Sequence, residues 1–469
     1  MIFKQQAEDD FDVKSVVSPE MEVILRRCAN IYAGAPPWLS ADNDIRTINF
    51  AKAVSSETAR LATLAIGIQI EGSARAEWLQ KQIDAIYFHL REWVEFSCAY
   101  GTVFLKPNGD SLDLFTPKDI LLVDYDNLGI KGIIFKDSYT QGDRFYTRLE
   151  YHRFAETTEN GVTTYPYYIS NRTYMSKSAD SIGDKIPMAK TKWAGMMEDT
   201  PPILKASGEK LDGPMFGMLR TPQANNIDID SPLGLPMYSE AIEELKDLDV
   251  AYSRNAGEIW DSQKIVLADD RLLMPDGQKV TGRTPEQIRA KREQMGLPRY
   301  VKNVFGADAK EFYSEINPQL NTETRLAGIN ALLSQIGYKC GYSNGYFVFN
   351  EKTGMVTATQ VESDDRRTIQ LIKDVRDKLE SALDGAIYAL SVYADLYGLA
   401  PVGTYEITYD FGDIVYSYEE DKQTWWKYVV QGLVPFWYYL TKFENLSEEE
   451  AKTLVEEAQQ KEKTLFEEE

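Results

Sequence analysis

The sequence predicts an α+β chain built from several units, and three observations carry that expectation. The first third passes from helix-spaced apolar residues to short alternating runs. Two amphipathic segments then flank a strand-rich insertion, and a long helix-spaced segment follows a glycine-rich break. At 469 residues and 53.4 kDa the chain has room for roughly two to four domains or one elongated assembly subunit.

The opening third begins with EMEVILRRCANIYAG and TINFAKAVSSETARLATLAIG, both with helical spacing. AEWLQKQIDAIYFHLREWVEFSCAYG continues it, with Trp78, Ile83, Ile86, Leu90 and Val94 as expected core positions. TVFLKPNG, SLDLFTP, ILLVDYD and IKGIIFKDSY read as short strands, in a helical and sheet domain reaching to about residue 230. Asp124 and Asp126 read as turn residues closing a strand before they read as cation ligands. Asn225, Asp228 and Asp230 fit metal ligation or a loop before a helix equally well, since Pro232, Gly234 and Pro236 punctuate that connection.

From Ser239, the residues Ile242, Leu245, Leu248, Tyr252, Ala256 and Ile259 recur every three or four positions, giving a helix with an apolar face and a mostly acidic one. The insertion comes next. KIVLADDRLLMP, RYVKNVFG and KEFYSEINP read as extended, and TPEQIRAKREQMG as a short helix in which Thr284 caps, Gln287 reaches back and Pro285 occupies the first turn. Arg283, Arg289, Lys291, Arg292, Arg299 and Lys302 make this a basic interruption in an acidic chain. It is either a solvated face or a contact for acidic protein or phosphate. A second helix starts near Asn321 with the stripe Leu326, Ile329, Leu333 and Ile336, so the insertion sits on a hairpin-like stalk.

Gly337, Gly341 and Gly345 then break the helical run, and Tyr346 with Phe347 through Phe349 suggests a brief strand. Ser363 and two aspartates precede a helix carrying Ile369, Ile372, Val375, Leu379, Leu383, Ala386 and Leu390, expected to run on the order of 40 to 50 Å. TYEITYDFG reads as a strand. The helical end holds Trp425, Trp426, Phe436 and Trp437 as core or subunit-packing residues, and Ser447 with Glu450 forms a capping box.

Charge and motifs narrow the chemistry. With 73 acidic and 51 basic residues the net charge is -22 and the pI about 4.7, which argues against nucleic-acid clamping by the whole surface but leaves room for local basic patches. No charged leader with an apolar core opens the chain and no apolar run approaches bilayer-spanning length, so synthesis in the cytoplasm and no membrane partner are expected. Cys28, Cys98, Cys340, His89 and His152 are too few and too scattered for a disulfide framework or a zinc site. GxxxxGK[ST], HExxH and CxxC are all missing, so no enzyme, cofactor or metal is expected.

The order of elements closely resembles the portal proteins of tailed, double-stranded DNA bacteriophages, in particular the long-tailed-phage branch. The resemblance covers most of the chain. It rests on the mixed N-terminal domain, IDIDSPLGLPMYSEAIEELKDLDVAYSRN, NTETRLAGINALLSQIGYKCG, GYFVFNEKTGMVTATQVESDDRRT and FGDIVYSYEEDKQ, with FxF followed by TGMVTATQV the most specific combination. It implies an elongated multidomain fold: a wing over residues 1–238, stem helices at 239–259 and 321–336, and a clip at 260–320. A tunnel loop and connection at 337–362, a long wing helix and strand at 363–412 and a helical crown at 413–469 complete it.

Portal proteins form homo-oligomeric rings, usually dodecameric in the virion, at one capsid vertex. They pass double-stranded DNA during genome packaging and ejection. By that resemblance the loop from Lys339 to Met355 faces DNA, with Lys339 and Lys352 touching phosphates and Tyr342, Asn344 and Tyr346 shaping the constriction. The clip binds the terminase motor and later a head-completion or tail-adaptor protein, with Arg289, Lys291, Arg292 and Arg299 as contacts, while the major capsid and scaffolding proteins are further partners. Terminase supplies ATP hydrolysis, which fits the missing phosphate loop. Another ring-forming head-tail connector and a carboxylate-dependent nuclease are the alternatives.

Overall fold

The computed structural model describes residues 3–40, 45–109, 111–127, 129–159, 162–261, 265–268, 300–303, 313–316, 322–348, 366–412, 425–430, 434–444 and 451–455. Five helices open the chain: α1 (Lys4–Phe11), α2 (Pro19–Tyr32), α3 (Phe50–Ala62), α4 (Ala74–Ile86) and α5 (Leu90–Tyr100). Local chemistry sets their ends. Ser18 caps α2 by accepting from the Met21 amide at 3.3 Å, Pro19 fills its first position, and Glu20 and Glu22 face its positive end. Ser73 caps α4. At Gly101, where α5 stops, φ is +82° and an added Cβ would lie 2.3 Å from the Gly234 carbonyl, so the turn accepts no side chain. Ile83, Ile86, Leu90 and Val94 are buried as their spacing predicts, and Trp78 is half-buried.

The strands form two facing layers. A five-stranded antiparallel sheet has the order β10 (Asp184–Ile186), β9 (Tyr167–Ser176), β6 (Arg144–Phe154), β5 (Gly129–Gln141), β4 (Ile120–Asp126). A three-stranded sheet has the order β11 (Gly217–Arg220), β2 (Thr102–Asn108), β3 (Ser111–Phe115), and β7 (Thr157–Glu159) pairs with β8 (Val162–Thr164). Phe104 and Phe115 from the second sheet, Phe135 from the first, and Phe216 beside β11 meet edge-on at 5.1 to 5.8 Å and fill the space between the layers. On the far side of the larger sheet, Phe3 and Ala7 of the α1 segment pack with Ile134, Leu149 and Tyr174.

Past this unit come α6 (Ile242–Asp261), the strands β12 (Ile265–Ala268), β13 (Tyr300–Asn303) and β14 (Tyr313–Ile316), and α7 (Thr322–Lys339). The three strands make a small sheet ordered β13-β12-β14, parallel on one side of β12 and antiparallel on the other. The helices α6 and α7 pack against one another. Their stripes are buried at one end through Ile242, Leu245, Leu248, Ile329, Leu333 and Ile336, all within the main core. Farther along, Tyr252 is 45% and Leu326 38% exposed, against the continuous burial that the periodicity suggests. Ala256 and Ile259 lie outside the described side chains.

The long helix α8 (Arg366–Tyr397) has 32 residues, about 48 Å at 1.5 Å each. Every member of its predicted stripe except Ile369 is buried. It lies directly on β11: a Cβ added to Gly217 would come within 2.0 Å of the Ala382 carbonyl oxygen. Two buried arginines fasten it. Arg75 donates to the carbonyls of Ser391, Ala400 and Pro401 and pairs with Asp395, tying the end of the helix to the segment that follows it. Arg376 donates to the carbonyls of Leu61, Ala62 and Gly412, tying α8 to the end of α3. Beyond it β15 (Tyr405–Asp410) pairs with β1 (Gly67–Gly72), and residues 425–430 with α9 (Phe436–Glu444) bring Trp426 onto Phe436 and Tyr439 while Trp426 stays exposed. Ser363, Ser447, Glu450, Thr284 and Gln287 lie outside the described residues.

Candidate functional site

Residues 340–348, which follow α7, pack against the rest of the core through Tyr342, Tyr346 and Phe347. Residues 344–347 form a turn, with φ +81° at Gly345, instead of the brief strand that the aromatic alternation suggests. The Ser334 hydroxyl accepts from the Gly345 amide at 3.1 Å and donates to Asn344, so the turn folds back on α7. Rings of Tyr342, Tyr346 and Phe347 cluster at 4.7 to 4.9 Å, and Phe347 meets Phe50 of α3 at 5.2 Å.

Polar contacts fix this turn from both sides. The hydroxyls of Thr58 and Tyr342 lie 2.6 Å apart, and Tyr346 donates to Glu57 at 2.6 Å. Glu57 also receives Arg60 in a two-pronged contact at 2.7 and 2.8 Å. That contact and the Tyr346 hydroxyl outweigh partial burial and hold the Glu57 carboxyl below its ordinary range. Burial first, then the neighbouring Glu57, pushes Tyr346 up. Ser343 and Thr368 exchange three hydrogen bonds of 2.9 to 3.2 Å, one of which satisfies the first-turn amide of Thr368 in α8. The Arg367 guanidinium stacks 3.7 Å from the centroid of Tyr338 and donates to the Tyr338 carbonyl at 2.8 Å.

Of the residues expected to face a channel, Tyr342 is fully buried, and Tyr346 is half-buried with its hydroxyl on Glu57 of α3. Lys339 ends α7 and donates to Glu244 at 2.5 Å and to the Glu240 carbonyl at 3.0 Å, which directs its ammonium to α6. Asn344 is exposed, on the turn. Lys352, Arg289, Lys291, Arg292 and Arg299 lie outside the described residues. Asp126 is a turn residue, accepting from the Gly129 amide and pairing with Lys131, whereas Asp124 sits at a bulge of β4. The Asn225 side chain caps the turn at Ile227 and Asp228 and reaches the Leu233 carbonyl, as a loop residue does.

A second cluster escaped the sequence reading. Lys106 of β2 and Arg148, Glu150 and His152 of β6 face one another between the sheets, all at most 4% exposed. Glu150 lies 2.6 Å from Lys106, 3.0 Å from Arg148 and 3.1 Å from His152. Arg148 also reaches Asp137 and Asn108, and Trp193 donates to Asp137. A carboxylate only accepts, so His152 Nε2 carries the proton given to Glu150. In the neutral ring, Nδ1 then accepts from Tyr167 at 2.9 Å. Burial pushes His152 and Lys106 down, while Arg148 and Lys106 overcome burial and hold Glu150 well below its ordinary range. The cluster is a buried, proton-ordered network joining four strands.

Cys28, Cys98 and Cys340 are free, and burial pushes each thiol up to about 12. Among the described residues no group of three or more His, Cys, Asp or Glu side chains has a metal-holding arrangement, and no helix is long and apolar enough to cross a membrane.

No protein-family model and no curated protein matches the chain. Among solved structures it is similar to a chain of the virion of a native gene transfer agent (GTA) particle, at 12% identity and a TM-score of 0.40, over 95% of this chain and 99% of that one. At that TM-score the two folds diverge too far for a functional statement to pass from one to the other.

Proposed function

We propose that the chain is a virion structural protein and, within that class, a portal protein: one subunit of a ring at a capsid vertex that passes double-stranded DNA and docks terminase and then a head-tail connector. The observation that carries this reading is the α6–α7 pair. Its apolar stripes enter the chain's own core at one end and lie bare at Tyr252 and Leu326 farther along, as expected of helices whose remaining apolar surface is covered by neighbouring copies. The exposed Asp247 of α6 would keep DNA phosphates from adhering to a bore. The small sheet between α6 and α7 in sequence fits a clip, α8 fits a wing spine returning over the N-terminal unit, and the end of the chain fits a crown. No chemical step is assigned to this protein.

Electron microscopy of the full-length protein, alone and in assembling particles, tests the reading through rotational class averages. A closed ring with an axial opening, lost in Tyr252→Glu/Leu326→Glu while the melting transition is retained, is the expected result. Persistent monomers under particle-assembly conditions would sink it.

A further inference from the structure

The ribbon of β1 and β15 has two edges, and the chain closes one of them. On β1 the outward groups are taken by side chains. The Gln80 amide of α4 donates to the Ile68 carbonyl at 3.2 Å and accepts from the Ile70 amide at 2.7 Å, and the Tyr87 hydroxyl donates to the carbonyl of Ile66 at 2.6 Å. By the alternation of an antiparallel ladder, their register partners Tyr409 and Ile407, and Tyr405 opposite Gly72, turn their own amides and carbonyls to the far edge. Among the described residues no hydrogen bond reaches those groups. Burial falls in the same direction: Ile68 and Ile70 are buried, whereas Tyr405, Ile407 and Tyr409 on the same face are half-buried.

Carboxylates border the open edge on both faces. Glu406 and Asp410 are exposed on the outer face of β15, with Glu71 of β1 opposite Glu406. On the other face Asp384 of α8 accepts from the Tyr409 hydroxyl at 2.8 Å, and Glu380 is pushed up by burial and then by Asp377 and Asp384. None of these acids has an ion pair among the described residues.

We infer that the β15 edge is completed by an extended segment of a partner protein in which basic side chains alternate with apolar ones. Donors and acceptors repeating along a line match an extended chain. The period of two then assigns its side chains. Alternate positions fall beside Glu406, Thr408 and Asp410, where cations are favoured, and the others extend the layer of Tyr405, Ile407 and Tyr409. A second copy pairing through the same edge would lay one row of carboxylates along another, and both rows repel nucleic acid.

The test is hydrogen-deuterium exchange of the full-length protein, resolved to single amides, with the peptides KVKVKVK, KKKKVVV and EVEVEVE. Without peptide, the Ile407 and Tyr409 amides should exchange fast beside a slow Thr408, whose amide lies in the ladder with Gln69. KVKVKVK at about ten times its Kd should slow Ile407 and Tyr409 by about tenfold, and the other two peptides should leave them fast. In Glu406→Lys/Asp410→Lys the binding should weaken by about fivefold or more with Thr408 still slow, since both carboxylates are exposed. Equal protection by KKKKVVV or EVEVEVE, undiminished binding by the double variant, or no protection by KVKVKVK overturns the proposal. So does protection of Ile407 and Tyr409 without peptide, which would give the edge to this chain itself, or to a second copy if the protection grows with protein concentration.

Discussion

The buried cluster between the sheets and the belt at the foot of the α6–α7 pair both join distant parts of the chain through charged groups, and they differ in their access to water. Lys106, Arg148, Glu150 and His152 are withdrawn from solvent, and each satisfies another. In the belt, the Lys339 side chain is 34% exposed and the Arg60 side chain 46%, so their pairs with Glu244 and Glu57 remain partly hydrated. A buried pair gives back in attraction much of what desolvation costs, yet losing one member strands the other. A hydrated pair contributes little and exchanges easily. The N-terminal unit is thereby fixed, while the foot of the helix pair, where its stripes enter the core, is held by contacts that tolerate rearrangement.

The largest effect is expected from Arg148→Met, which leaves Asp137 and Glu150 short of a buried partner. The urea midpoint should fall by an amount equivalent to about 3–5 kcal/mol. A loss below about 1 kcal/mol would mean that water enters the cluster and the contrast with the belt is unfounded. The same cluster predicts a pH dependence. His152 and Glu150 both have folded values below their unfolded ones, so their stabilisation is complete above about pH 6.5 for the imidazole and about 4.3 for the carboxyl, and is lost as pH falls through each folded value. Melting temperature should therefore decline from pH 6.5 downward. In His152→Gln the upper part of that decline should flatten; an unchanged profile would place the titrating groups elsewhere.

The sheet cluster shows why part of the fold was not legible in the sequence. RFYTRLEYHRF forms β6, yet its alternation places Arg148, Glu150 and His152 on a buried face and Leu149 and Tyr151 on the other. Reading polar residues as outward-facing hides such a strand, because the compensating Lys106 lies on another strand, 42 positions earlier than Arg148 in sequence. By contrast α2, α5, α8 and the strands β2 to β5 follow spacing and capping signals that act locally, and the helices flanking the insertion begin and end within a few residues of where their stripes place them. The turn at 344–347 misled for a related reason. Tyr346 and Phe347 alternate as a strand would, but their partners are Glu57 and Phe50, nearly three hundred residues away. Glycines at 341 and 345 marked the turn; nothing local marked what it packs against.

A smaller effect tests the buried edge of the belt. Thr58 gives its hydroxyl proton to the Val54 carbonyl at 2.9 Å, so Tyr342 is the donor in their 2.6 Å contact. Tyr342→Phe keeps the ring packing and should cost about 1 kcal/mol by thermal or urea unfolding. A cost near that of Arg148→Met would show that this hydroxyl, and not the aromatic cluster, seats the turn.

The smallest effect is expected at Lys339, and it decides whether the two regions differ in kind. Lys339→Met removes the ion pair with Glu244 and the bond to the Glu240 carbonyl, but the remaining carboxylate is 15% exposed and the lost ammonium stood partly in water. The loss should stay within about 1 kcal/mol and shrink as salt is raised. If instead it is several-fold larger and insensitive to salt, Glu244 behaves as a buried charge like Glu150. The foot of the helix pair would then be as rigidly fixed as the sheet unit.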